Sequence, residues 1–129
     1  ANQIGATVSE RLRLEPPLHL IRRHAQEDVS LLGHSFERDT QIGCLLGSAS
    51  HDDAVWPDGD KFDPFRAVHP NLGFGTGVHA CIGSALTQMM MQIALPALFS
   101  RCPSVQIVSQ PTFANDYMFR RLERLDVCL

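Results

Sequence analysis

The stretch Phe74-Gly75-Thr76-Gly77-Val78-His79-Ala80-Cys81-Ile82-Gly83 decides how the rest of the sequence is read. Glycines at 75, 77 and 83 let the backbone bend into conformations that side chains forbid. A single cysteine then stands at the mouth of a long apolar run, Ile82 to Ser100, whose pattern predicts a helix. The start of a helix carries unpaired N–H donors and the positive end of the dipole, a setting that favours an anionic sulfur. A thiolate beside tightly turning backbone is a good metal ligand, so Cys81 is taken as the chemical centre.

The other cysteines, Cys44, Cys102 and Cys128, are widely spaced. Without a C-x-x-C pair they do not form a zinc pattern, and they read as small buried hydrophobes rather than disulfide partners. With 129 residues the chain is sized for one domain, residues 1–129, with one modest core. A net charge of -3 gives no argument for nucleic acid or an anionic membrane. No run is long and apolar enough throughout to span a bilayer, and no secretion signal is visible, so the expected location is cytoplasmic.

Working outward, Ala67 to Ser100 contains no Asp, Glu, Lys or Arg, leaving His69 and His79 as its titratable side chains apart from Cys81. Its helical part is apolar nearly all round, with Met89-Met90-Met91 in the middle and Pro96 expected to bend or end it. A helix of that kind is normally covered on every face. In so short a chain this implies a partner surface or membership of something larger.

Upstream, Ala1 to Ala6 carries no signal, and a short helix is expected from Thr7 or Ser9 to Pro16-Pro17. Glu10 and Arg13 share one face of it, and on spacing alone they read as an exposed ion pair. Leu20-Ile21, Val29 to Leu32 and Ile42 to Leu46 read as short strands, with a hairpin turn at Glu37-Arg38-Asp39. Arg22, Arg23 and His24 form a basic cluster at a strand end, which by position is a charged edge. Gly47 to His51 suggests one turn of helix. Asp52 to Arg66 reads as an acidic irregular loop pinned by Trp56, Phe62 and Phe65, and its spacing does not match an EF-hand. Downstream, strands are expected at Val105 to Val108, Tyr117 to Phe119 and Asp126 to Leu129. Pro111 to Asp116 should turn the chain, and Arg120, Arg121 and Arg124 should form a solvent face.

These features together closely resemble the cytochrome P450 family of haem-thiolate monooxygenases, in its bacterial soluble branch. Phe74, Gly77, Cys81 and Gly83 match the haem-binding signature F-x-x-G-x-x-x-C-x-G, and Gly75 and His79 extend it. Glu10-Arg11-Leu12-Arg13 matches the E-x-x-R of the family's K helix and is followed by Leu14-Glu15-Pro16-Pro17. Arg23 to Val29, Gly47 to Asp52 and Asp60 to Asp63 resemble the strand after the K helix and the approach to the meander. The resemblance implies an α+β chain: the C-terminal portion of a mostly-α fold, with K helix, short strands, meander, cysteine loop, long L helix and C-terminal hairpin.

By that resemblance, Cys81 is the axial thiolate of haem iron. Gly75, Gly77 and Gly83 let the backbone pass close beneath the porphyrin, and Phe74 packs near the sulfur. His79 and Arg23 pair with the propionates. Glu10 and Arg13 become buried structural residues, which reverses the reading from spacing. Lys61 stands where the family usually has an arginine in that network and cannot make the two-pronged contact, so Arg66 is the substitute. Thr87-Gln88-Met89-Met90 replaces a stretch that commonly carries an arginine and a glutamate, and the hairpin turn lacks the usual Pro and Gly.

The resemblance covers about the C-terminal third of a family domain. The distal oxygen-activating helix and the roof of the substrate pocket are not in this sequence. Three functions follow as alternatives. The first is a haem-binding chain whose family activity is monooxygenation of a small organic substrate, with O2 and electrons from a ferredoxin-type partner; the isolated chain is expected not to support turnover. Its expected partners are a second copy or a chain supplying the distal half. The second is a non-catalytic apo remnant that self-associates through the L-helix surface. The third is a haem carrier or redox sensor, for which no residue speaks directly.

Overall fold

The computed structural model describes residues 3–67 and 72–129. His69 lies outside the described residues. The chain begins with helix α1, Gln3–Leu14. It therefore takes up most of the stretch expected to be a featureless leader. Thr7 is interior rather than a cap: its hydroxyl donates to the Gln3 carbonyl at 2.9 Å, the back-bond a threonine makes inside a helix. Val8 and Leu12, four apart, bury one face, while Glu10 and Arg13 are buried beside them. Pro16-Pro17 follows the last turn and stops the helix, as the sequence predicts.

Strands β1, Leu20–His24, and β4, Gln41–Leu45, form an antiparallel pair running from Leu20 opposite Leu45 to His24 opposite Gln41. Between them β2, Val29–Leu31, and β3, His34–Phe36, make a separate hairpin. The expected hairpin turn at 37–39 is thus corrected. The tight turn is Leu32-Gly33, both in the left-handed region at φ 52° and 82°, the geometry of a two-residue hairpin connection. Gly33 is a turn residue, but Leu32 before it continues the apolar strand pattern and so hides the turn. Residues 37–39 instead lead from β3 into β4, with the Asp39 amide donating to the Ala25 carbonyl at 2.8 Å.

Helix α2, Leu46–Ala49, is the expected single turn. The following loop is irregular through residue 67 and is pinned by Trp56, which is buried, but not by Phe62 and Phe65, which are exposed. Two 3₁₀ turns, Leu72–Phe74 and Gly77–His79, lead to helix α3, Ser84–Arg101. The helix runs on through Pro96 without ending there. None of its residues is buried, so the covered environment expected for it is not supplied within the described residues.

Four short strands finish the chain: β5, Gln106–Ile107; β6, Thr112–Phe113; β7, Leu122–Arg124; and β8, Val127–Cys128. β5 pairs with β8 and β6 with β7, both antiparallel. Residues 112–113 are thus a strand where only a turn was expected. Tyr117 to Phe119 is not a strand; it makes a lone bridge between Phe119 and Leu18. That bridge, with Arg120 N–H to the Pro17 carbonyl at 2.9 Å, fastens the C-terminal segment to the exit of α1. Arg120 is not a purely solvent-facing charge, since it pairs with Glu15 at 2.9 Å and lies over the Phe113 ring. Cys128 is exposed and Cys44 and Cys102 half-buried, so none is the fully buried hydrophobe expected.

Candidate haem-binding site

Two constellations emerge, one buried and one open. The buried one is built on α1. Arg13, with 1% of its side chain exposed, grips Glu10 through Nε to Oε2 at 2.9 Å and Nη2 to Oε1 at 2.8 Å. This is the two-pronged contact that a guanidinium makes and an ammonium cannot. Its other N–H groups donate to the carbonyls of Ser50, of Gly59 at 2.9 Å and of Lys61 at 3.2 Å, and its guanidinium lies 5.3 Å from the centre of the Trp56 ring.

Arg66 completes the arrangement, with Nε at 3.4 Å from Glu10 Oε1 and donations to the carbonyls of Pro57, Asp58 and Lys61. The Asp63 amide also donates to Glu10, at 3.1 Å. Lys61 contributes its carbonyl; its side chain turns outward to Asp58 at 2.7 Å. Burial alone would push the Glu10 carboxyl up. Hydrogen bonds from Arg13 and the Asp63 amide, the Arg13 charge and the Arg66 contact outweigh burial and hold it below the usual carboxylate range. The carbonyl acceptors Ser50, Pro57 and Gly59 carry no sequence signal, because backbone supplies the contact. Gly59 does have a steric reason: a Cβ there would lie 2.6 Å from the His51 carbonyl oxygen.

The open constellation is the cysteine loop. The amide of Cys81 donates to the Phe74 carbonyl at 2.7 Å, closing the loop on itself. Gly75 and Gly77 adopt φ 67° and 64°, conformations that other residues rarely adopt. At Gly75 a Cβ would also crowd the His79 carbonyl at 3.1 Å. Gly83, where α3 begins, lies beside the cysteine: a Cβ there would meet Sγ at 3.8 Å, an ordinary contact distance.

Arg23, Phe74, Gly75, His79 and Cys81 all line one cavity of about 400 Å³. Residues from α1, β1, α2 and the cysteine loop thus meet there, although Arg23 and Cys81 are far apart in sequence. Gly77 and Gly83 flank the cavity without lining it. The remaining walls are Leu12, Pro17, Leu18, Ile21, Leu46, Gly73 and Thr87. Sequence reasoning missed these because an apolar wall residue looks like any core residue.

The donor set suits an iron porphyrin. A thiol is available beside an apolar wall, and the two basic side chains on the wall, Arg23 and His79, are free of ion pairs to acidic side chains among the described residues. Of the loop glycines, Gly73 and Gly75 lie on the cavity wall beside the cysteine. No cluster of three or more His, Cys, Asp or Glu side chains suited to another metal occurs among the described residues, and none of their helices is long and apolar enough to cross a membrane.

The family model described as Cytochrome P450 matches residues 4–118. A relative named biotin biosynthesis cytochrome P450, from Bacillus subtilis, is 37% identical over 96% of this chain and 32% of its own length. Cytochrome P450 119 from Sulfolobus acidocaldarius is 31% identical over 89% of the chain and 32% of its own length. The chain thus spans about a third of the length of the curated relatives it matches. Among solved structures, P450BioI in complex with an acyl carrier protein ligated to hexadec-9Z-enoic acid superposes with a TM-score of 0.93 at 37% identity, covering 97% of this chain and 33% of that one.

Proposed function

We infer, because this chain belongs to the cytochrome P450 family, that its cavity holds haem, with Cys81 Sγ as the iron ligand. Arg23 and His79 pair with the two propionates, which gives a charge-assisted role to basic groups that lack acidic partners of their own. Phe74 and the apolar wall exclude water from the sulfur side, and Gly75, Gly77 and Gly83 keep the backbone low enough for a flat ligand to lie across it. The single observation carrying this reading is the convergence of Arg23, His79 and Cys81 on one cavity. When bound, a thiolate-ligated haem supplies oxygen activation and one-electron chemistry.

The Glu10–Arg13–Arg66 network is structural in this reading and holds α1 and the 52–67 loop in one piece. Monooxygenation of a small organic substrate, with electrons from a ferredoxin-type partner in the cytoplasm, is proposed for the whole protein. Proton delivery to oxygen and substrate enclosure call on groups beyond the matched third of the relatives, so the chain on its own is proposed to bind haem without turnover. A second reading, an apo chain that self-associates, is favoured by one observation: Leu86, Met89, Met90, Ile93 and Phe99 on α3 are all exposed.

Reconstitution decides between them. The purified chain is loaded with haemin, reduced and exposed to carbon monoxide beside Cys81→Ala, with light scattering for mass. The expected result is stoichiometric uptake and a red-shifted thiolate-type Soret band that disappears in the variant. No stoichiometric uptake by a folded chain, together with a concentration-dependent oligomer, overturns the haem reading in favour of the second.

A further inference from the structure

Part of the wall of the cavity that holds Cys81 is fastened by the C-terminal segment. Pro17 and Leu18 both line that cavity, and Pro17 has no amide hydrogen with which to fasten itself. Residues 118–120 supply the tie. The His19 amide donates to the Met118 carbonyl at 2.7 Å, and the Arg120 amide donates to the Pro17 carbonyl at 2.9 Å. These two bonds flank Leu18, which forms the antiparallel bridge with Phe119. The same stretch is tied to α2, since the His19 carbonyl accepts from the amides of Leu46 at 2.8 Å and Gly47 at 3.3 Å.

Segment 118–120 takes its shape from Asp116. The Asp116 Oδ1 accepts from the amides of Met118 at 2.8 Å and Phe119 at 3.1 Å. With those amides committed, the Met118 carbonyl and the Arg120 amide are left to meet residues 17–19. The base of the turn is closed by the Ala114 amide on the Arg121 carbonyl at 2.9 Å. Packing supplies little of this order, because Tyr117 and Phe119 are exposed. Two side-chain contacts assist. Arg22 donates to the Tyr117 hydroxyl and lies 6.0 Å from the centre of its ring, and Arg120 pairs with Glu15 at 2.9 Å. Both sit at the surface, where contacts of this kind contribute little.

We propose, resting on the haem reading of the cavity, that Asp116 is a positioning residue for it. By shaping the turn at 116–120, its carboxylate holds Pro17 and Leu18 on the cavity wall. Binding and strap are then coupled in both directions, because a ligand that lies against an ordered wall favours the strap that orders it.

Hydrogen exchange at the His19 and Arg120 amides reads the strap, and the rate of haemin loss to a scavenging apomyoglobin reads the wall. Both are measured on the full chain. In Asp116→Ala without haemin, exchange at the two amides should quicken about tenfold. The Glu15 amide, bonded to the Arg11 carbonyl, should not change. The loaded variant should lose haemin about fivefold faster than the native chain. Asp116→Asn keeps a side-chain oxygen that accepts the same amides and should restore both readings. Asp126→Ala removes a carboxylate bonded to Ser109 and Arg124 instead, and should leave both as they are. In the native chain, haemin loading should slow exchange at His19 and Arg120 about fivefold, a result that needs no variant. Unchanged exchange in Asp116→Ala, or quicker exchange with unchanged haemin loss, overturns the proposal and leaves the haem reading standing. Native exchange indifferent to bound haemin overturns it as well. A native chain that takes up no haemin overturns the haem reading, and the proposal with it.

Discussion

The surroundings of α1 and of α3 handle exposed chemistry in opposite ways. Around α1 the chain buries two charged side chains, Glu10 and Arg13, and supplies every partner they need from its own loop. Around α3 it carries almost no charge, and much of the apolar side-chain surface stays open. A buried charge cannot wait for a partner, because an uncompensated ion in a dry site costs several kcal/mol. An apolar face can wait, because each exposed side chain costs about 1.5–3 kcal/mol of unrealised burial and leaves the local helix intact. The difference shows that the surroundings of α1 are closed by the chain's own loop, whereas the exposed face of α3 is not covered by any described residue.

The sharpest way to break this contrast is to remove Arg13. Arg13→Ala leaves the Glu10 carboxylate buried with only the Asp63 amide and the 3.4 Å contact from Arg66, and the expected loss is about 3–5 kcal/mol of unfolding free energy. Urea unfolding followed by circular dichroism measures it; a loss under about 1 kcal/mol would mean the network is decorative. The same network sets an acid limit. The Glu10 carboxyl sits below its usual range in the folded chain, so its contribution is complete above the unfolded value and disappears as pH falls through the folded one. Glu10→Gln should flatten that acid-side decline.

The Glu10–Arg13 pair also shows what a sequence can and cannot carry. Spacing placed both residues on one helix face and pointed to an exposed pair; their burial came into view only through the resemblance of the motif. Nothing in a three-residue spacing distinguishes a solvated pair from one under a loop, because the loop's contribution is backbone carbonyls. The cysteine loop was more legible, since Gly75 and Gly77 announce positive φ and Cys81 announces a ligand. Leu32-Gly33 was not legible, because a leucine at φ 52° is a conformation its side chain disfavours and the pairing of β2 with β3 imposes it. Short strands such as β6 and β7 escaped for a related reason, being held by pairing rather than by any residue pattern.

A smaller effect separates Arg66 from Lys61. Arg66 is 11% exposed and serves Glu10 and three loop carbonyls, so Arg66→Lys should cost about 1–2 kcal/mol through lost donors. Lys61→Ala removes a side chain that is 72% exposed and bonded to Asp58 at the surface, and its unfolding midpoint should not move measurably. If the two variants behaved alike, the network's closure by Arg66 would be wrong and Lys61 would belong to it after all.

The smallest expected effect lies on α3. Ile93→Ser and Leu86→Ser replace exposed apolar side chains, so in dilute monomeric solution each should change unfolding free energy by about 0.5 kcal/mol or less, close to the helix-propensity difference alone. The same substitutions should weaken any concentration-dependent association seen by light scattering, because the surface they remove is what another apolar body would cover. Both readouts are needed together. A loss of about 2 kcal/mol or more in the monomer would mean that Leu86 and Ile93 are themselves packed within this chain, beyond the contact α3 already makes with α1, and the contrast with α1 would then disappear. Unchanged stability with unchanged association would leave the face inert and confine its role to holding the start of α3 beside Cys81. Unchanged stability with weakened association would make α3 the half of this region that is completed from outside.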